Sequence, residues 1–168
     1  MRHIISILVN NQPRVLARVA SLFGRRNFNI ESISVGESEE PGLSRIVIVT
    51  HGDARTMEQV SKHLHKLIDV IKVQDLSIQQ SVARELLLVK VGATSSNRAE
   101  IQGIIEPFRA SVVDVGTNSL MIQATGDREK LDALIELLRP YGIKELARTG
   151  ITALPRSMQI QTKAHLHA

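Results

Sequence analysis

Asn10, Asn11, Gln12, Pro13 and Arg14 stand in a row between an apolar run and a helical pattern, in the stretch NNQPRVLARV. Such a row offers amides, one cation and, where a helix starts behind it, unpaired backbone N–H groups at the positive end of a helix dipole. Those N–H groups can hold a small carboxylate without a basic side chain. The Asn11 amide can accept from an ammonium group, and Asn29, from a nearby strand, can supply a second amide. Carboxylate plus ammonium describes an amino acid. The plainer reading is local: Asn11 only caps the helix and Asn29 only lies on a sheet edge.

Other chemistries find less support. A catalytic site needs a nucleophile, a base and a group that orients the base, and no such set stands out. His63 and His65 are two apart on a helical pattern and point in different directions. His165 and His167 lie in the final segment, where weak metal binding is the most to expect, and His3 and His51 flank strands with no evident partners. Zero cysteines exclude disulfides and thiolate metal sites. No GxGxxG or Walker run cradles a phosphate. The strand SRIVIVTHG lacks the aromatics on which RNA-binding modules of similar element order stack bases. The net charge of +4, from 21 basic and 17 acidic residues, reads as solvated surface because the cations are not in one run. No segment approaches the roughly 20 apolar residues of a membrane span, and MRHIISILVN turns polar too soon for a signal sequence. The expectation is a cytoplasmic protein with neither a nucleic-acid nor a membrane partner.

The elements that position the junction are written twice. RHIISILVN reads as a buried strand. From Val15 the period changes, and Val15, Leu16, Val19, Ala20, Leu22 and Phe23 form a helical stripe, with Pro13 in the first turn and Asn11 or Gln12 as the cap. Asn27 stops that helix, since Asn tolerates the left-handed conformation of a C-terminal cap. FNIESISVG and SRIVIVTHG form a hairpin across SEEPGL, with Phe28, Ile30 and Ser32 expected on one face and Asn29, Glu31 and Ile33 on the other. Asp53 caps a helix carrying Met57, Val60, Leu64 and Leu67, and DVIKVQDLSI supplies a fourth strand. From RELLLVKVGA the order repeats, with Pro107 stopping or kinking one helix, Asp127 opening the next, and Pro140 with Gly142 ending it. The fold class is α+β: two tandem ferredoxin-like βαββαβ sandwiches, each an antiparallel sheet with two helices on one face. The expected domains are residues 1–78 and 84–155, with a linker at 79–83 and a mobile tail at 156–168. FNIESISVG, the second strand, belongs at a sheet edge, where its apolar, lysine-free sequence invites pairing with its twin in a second copy.

NIESISVG, LSRIVIVTHGD, KHLHKLIDVIKV and RELLLVKV, in that order, resemble motifs of the small regulatory subunit of acetolactate synthase, whose amino-terminal half is an ACT domain. The likeness spans about residues 2–155. It implies a chain without catalytic residues or cofactors of its own. Its expected partner is a catalytic subunit that carries thiamine diphosphate, Mg²⁺ and usually FAD and condenses two pyruvates, or pyruvate with 2-oxobutyrate. Family members raise that activity, and most transmit feedback inhibition by valine. The resemblance places the effector at the loop and helix start around Asn11, Pro13, Arg14, Val15 and Leu16, with Asn29, Ile30 and the strand to Val35 contributed across an ACT-domain homodimer. One departure stands out: Arg14 occupies a position where the family usually has Gly, which admits close approach of the backbone to a ligand. Arg14 either occludes the pocket, binds the carboxylate or turns to solvent. A free-standing ACT-domain amino-acid sensor with a different target is the alternative.

Overall fold

The apolar alternation of residues 2–10 becomes the central strand of a four-stranded sheet. The computed structural model describes residues 1–157. Its first unit runs β1 (Arg2–Asn10), α1 (Val15–Arg25), β2 (Ile30–Glu37), β3 (Leu43–His51), α2 (Ala54–His65) and β4 (Val70–Asp75). The strands pair antiparallel in the order β2-β3-β1-β4, the ferredoxin-like arrangement expected from the sequence. Ile5, Ile7 and Val9 of β1 join Ile46 and Ile48 of β3 on the helix side, packed against Val15, Val19, Leu22 and Phe23 of α1 and Val60 and Leu64 of α2. Each such side chain contributes about 1.5–3 kcal/mol by leaving water.

Leu16 and Ala20, expected on the α1 stripe, face outward instead, and Leu16 is 45% exposed. At 3.6 residues per turn the positions 15, 19, 22 and 23 complete one face, and 16 and 20 are rotated about 100° from it. The helix stops as its sequence requires. Asn27 adopts φ 57°, its N–H donates to the Gly24 carbonyl at 3.1 Å, and the Phe28 N–H donates to the Phe23 carbonyl at 2.9 Å. These two bonds are a Schellman closure. The Phe23 and Phe28 rings meet edge to face at 6.1 Å and seal it.

The second unit repeats the plan with β5 (Ser81–Gly92), α3 (Arg98–Ile105), β6 (Ser111–Val115), β7 (Ser119–Gly126), α4 (Arg128–Leu138) and β8 (Ile143–Arg148). Its order is β6-β7-β5-β8, and Leu87, Val89, Ile101, Ile122, Leu131 and Leu138 lie in its core. α3 ends before Pro107 in a single 3-10 turn, Glu106–Phe108, because proline removes a donor. Asp53 and Asp127 accept the Thr56 and Lys130 N–H groups at 2.7 and 2.9 Å and cap α2 and α4.

A further strand, β9 (Thr152–Pro155), pairs with β5. By contacts the described chain divides into Met1–Val82 together with residues 153–157, and Ala83–Thr152. This differs from the boundaries read from sequence. β5 begins at Ser81, inside the segment 79–83 read as a linker, and the chain leaves the second unit at Ala153 and not at 155. Four residues are too few to register as an alternating pattern, so β9 carries no periodic signal. Of the segment 156–168 read as a tail, Arg156 still donates its N–H to the Gln80 carbonyl at 2.9 Å, and residues 158–168, with His165 and His167, lie outside the described residues.

Candidate functional site

The junction between β1 and α1 is held by its backbone. The Asn10 N–H donates to the Asp69 carbonyl at 2.9 Å, and the Asn11 N–H to the Gly42 carbonyl at 2.8 Å. Gly42 closes the β2–β3 turn at φ 83°, a conformation that suits glycine. With its backbone so fixed, the Asn11 side chain is left exposed at the end of the sheet.

The cap expected from Asn11 or Gln12 does not form. α1 begins at Val15, the residue before it is Arg14, and no side chain caps the helix. A capping side chain must come from the residue directly before the first turn, and Asn11 lies three positions too early. Pro13 likewise falls in the turn preceding the helix and not within its first turn. The Val15 N–H finds the Gln12 carbonyl at 3.4 Å, and the Arg14 carbonyl accepts from the Arg18 N–H at 2.9 Å. Among the described residues nothing accepts from the N–H groups of Leu16 and Ala17. Ala17 escaped the sequence reading because its contribution is a backbone amide, although any helix start leaves such amides open.

Arg14 has φ 73° and ψ −5°, the left-handed region that costs a residue with a Cβ roughly 1–2 kcal/mol. A glycine there would be favoured by conformation as well as by ligand approach. The Arg14 side chain is exposed.

β2 lies at the sheet edge, as expected, but its faces differ from strict alternation. A bulge between Ile30 and Ser32 leaves Ile30 opposite Thr50, Ile33 opposite Ile48 and Val35 opposite Ile46, all three toward the helices. One extra residue reverses the facing of the rest of the strand, so Ile33 joins Ile30. Val35 emerges half exposed beside the helix layer, near the sheet end that carries Asn11. Asn29 is exposed at the other end, where its carbonyl accepts from the Thr50 hydroxyl at 2.5 Å. Leu43, opposite Asn10, and Thr50, opposite Ile30, are seven residues apart on β3, or roughly 23 Å along the strand. Within one chain Asn11 and Asn29 are therefore not brought together.

Two histidines have partners that the sequence did not reveal. His3 is buried, with Nδ1 at 2.9 Å from an Asp75 carboxylate oxygen and 3.0 Å from the Ser77 hydroxyl. His51 faces Glu31 at 3.6 Å. Strand pairing brings these residues together from distant parts of the sequence. Among the described residues no three histidine or acidic groups are placed to hold a metal, and no helix is long and apolar enough to cross a membrane.

Comparison with known proteins agrees with this frame. Residues 5–72 match a family described as the AHAS small subunit-like ACT domain, and residues 84–157 match the small subunit of acetolactate synthase. The acetolactate synthase small subunit of Bacillus subtilis is 54% identical over 160 residues, covering 95% of this chain and 93% of that protein. The probable acetolactate synthase small subunit of Methanothermobacter thermautotrophicus is 57% identical over 155 residues, 92% of each chain. The crystal structure of the small subunit from Thermotoga maritima superposes with a TM-score of 0.86 at 45% identity, covering 93% of this chain and 98% of that one. An edge-strand ACT sheet in the first unit, a second sandwich after it in the chain and this agreement along nearly the whole length place the chain in the family of acetolactate synthase small subunits.

Proposed function

We propose that the chain is a non-catalytic regulator that raises the activity of an acetolactate synthase catalytic subunit and confers feedback inhibition by valine. The thiamine diphosphate, Mg²⁺ and FAD of the reaction would belong to that partner. The observation that carries the valine reading is the α1 entrance, a helix start without a cap where the amides of Leu16 and Ala17 are open and the exposed Asn11 comes three residues before Arg14 in the chain. The amides suit a carboxylate, and the Asn11 carbonyl oxygen suits an ammonium group.

The positions of Asn11 and Asn29 at opposite ends of the sheet support an ACT-domain homodimer as the complete site. If two copies pair antiparallel along β2, the two-fold axis exchanges strand ends. The partner copy's counterpart of Asn29 and Ile30 then approaches this chain's Val35 and, beyond it, Asn11. Each effector lies between chains, and the apolar Leu16 and Val35 are available to its side chain. Valine alters activity only through unequal affinity for two arrangements of the assembly, and ordering of residues 11–16 against the second copy is the difference proposed.

The test is acetolactate formation by the catalytic subunit alone, with this chain, and with this chain plus valine. The expected result is a rise on adding the chain and a fall on adding valine. No rise, with valine still bound by the isolated chain, would instead indicate a free-standing sensor.

A further inference from the structure

The two units have the same architecture but different charge over their helices. Segments 14–26 and 53–69, which contain α1 and α2, hold seven basic and three acidic residues. The corresponding segments 98–109 and 127–139 hold five basic and six acidic. In the first unit part of this surplus converges. Leu22, Arg25, Arg26, His63, Lys66 and Leu67 line a cleft of about 320 Å³ between the C-terminal ends of α1 and α2.

Cations at helix C-termini are ordinarily explained by the dipole. Here three of the last four carbonyls of α1 and two of the last four of α2 are already engaged by backbone groups. Asn27 and Phe28 close α1, and the Lys66 and Leu67 N–H groups reach the His63 and Leu64 carbonyls at 3.2 and 3.1 Å. Two other cations of the same layer have carboxylate partners, Arg18 with Asp69 at 2.7 Å and Lys62 with Glu58 at 2.8 Å, while Arg14 and Arg55 stand apart from the cleft. No carboxylate lines the cleft, and among the described residues Arg25, Arg26 and Lys66 form no ion pair. Arg26 Nη2 approaches only His63 Nδ1, at 3.5 Å. A guanidinium only donates, so that contact needs a neutral imidazole with its proton on Nε2. Burial, then the charges of Arg26 and Lys66, hold the His63 pKa below its ordinary value.

We infer that this cleft is an anion site that takes a small dianion, a phosphate ester or a dicarboxylate, between Arg25, Arg26, Lys66 and His63, with Leu22 and Leu67 as its apolar floor. A bound dianion replaces the missing countercharge and gives His63 a reason to protonate. The cleft lies about 16 Å, the length of α1, from the Asn11 junction, so the inference does not rest on the valine reading.

Sulfate remains a dianion throughout imidazole titration and is the first probe. The histidine resonances are followed by NMR against pH in sulfate and in chloride at equal ionic strength, with His63→Gln assigning the signal. The expected result is a saturable upward shift of the His63 titration by about half a pH unit or more, with His65 unmoved. Arg26→Gln raises the His63 titration in chloride and shrinks the sulfate response. Methyl phosphate and succinate, compared in the same way, distinguish the two ligand sources, the larger response naming the class. A His63 titration identical in sulfate and chloride, or an equal drift of all the histidines, overturns the proposal.

Discussion

The first helices of the two repeats begin in the same place in the fold and with opposite chemistry. The residues around the start of α3 are bonded within their own unit, although α3, like α1, has no side-chain cap. Asn97 Oδ1 accepts from the Thr94 N–H at 2.8 Å, and the Arg98 guanidinium holds the carbonyls of Gly116 and Thr117 at 2.6 and 3.2 Å. Glu100 supplies a carboxylate in the first turn, fixed by the Tyr141 hydroxyl at 2.6 Å. α1 has no acidic residue in its first turn, and it is preceded by a left-handed Arg14. An acid near the dipole end stabilises a helix, so under the proposed reading the entrance that lacks one is the one open to an external carboxylate. The two repeats share the frame and differ in charge at this point: the first turn of α3 carries its own carboxylate, and that of α1 does not.

The same contrast extends to β5, where Arg148 joins the Glu85 carboxylate at 2.7 and 3.0 Å to Asp132 at 2.7 Å. The Glu85 side chain is only 6% exposed. Arg148→Ala leaves that carboxylate buried and unpaired, and with allowance for the partly exposed arginine it is expected to cost about 2–3 kcal/mol. Urea unfolding followed by the fluorescence of Tyr141, in a chain with one tyrosine and no tryptophan, measures this. A loss below about 0.5 kcal/mol, the range of ordinary surface substitutions, would show that the second repeat is not closed by its own charges.

Asn11→Ala is expected to weaken valine binding by calorimetry about tenfold, or 1.4 kcal/mol, while leaving stability within about 0.5 kcal/mol because the side chain caps nothing. Asn97→Ala, at the residue directly before α3, reverses the pattern, with about 1 kcal/mol lost from stability and no change in valine affinity. Matching outcomes for the two asparagines would erase the distinction between entrances. Arg14→Gly relieves the left-handed strain and is expected to raise stability by about 0.5–1 kcal/mol, net of the flexibility glycine adds to the unfolded chain. If that variant also loses valine, the Arg14 side chain holds the carboxylate. The smallest effect is spectroscopic: the hydrogen bond to Glu100, with burial and the carboxylate charge, raises the Tyr141 pKa above its ordinary value of 10.0. Glu100→Gln removes the charged acceptor, and absorbance titration should show the phenol ionising at lower pH than in the unaltered protein.

Much of the frame was legible because its signals are local. Asp53 and Asp127 announce helix starts, Asn27 and Pro107 announce stops, and the apolar spacings of Met57, Val60 and Leu64 need only one turn of neighbours. The junction was legible as a ligand-like cluster but its geometry was not. The left-handed conformation of Arg14 has no mark in its residue type, and nothing in NNQPRV requires the helix to wait until Val15. The bulge at Glu31 is likewise invisible in FNIESISVG, since it exists only relative to β3. β9 fails for a different reason, being too short to repeat a pattern.

By itself the sequence determined the succession of elements, the points where helices end and the supply of amides near residue 11, because each depends on residues within a few positions of one another. Tertiary structure alone decided that Asn11 and Asn29 stand at opposite ends of one sheet and that four basic side chains share one cleft. Strand register and helix packing join residues tens of positions apart, and no local preference encodes which of them will meet.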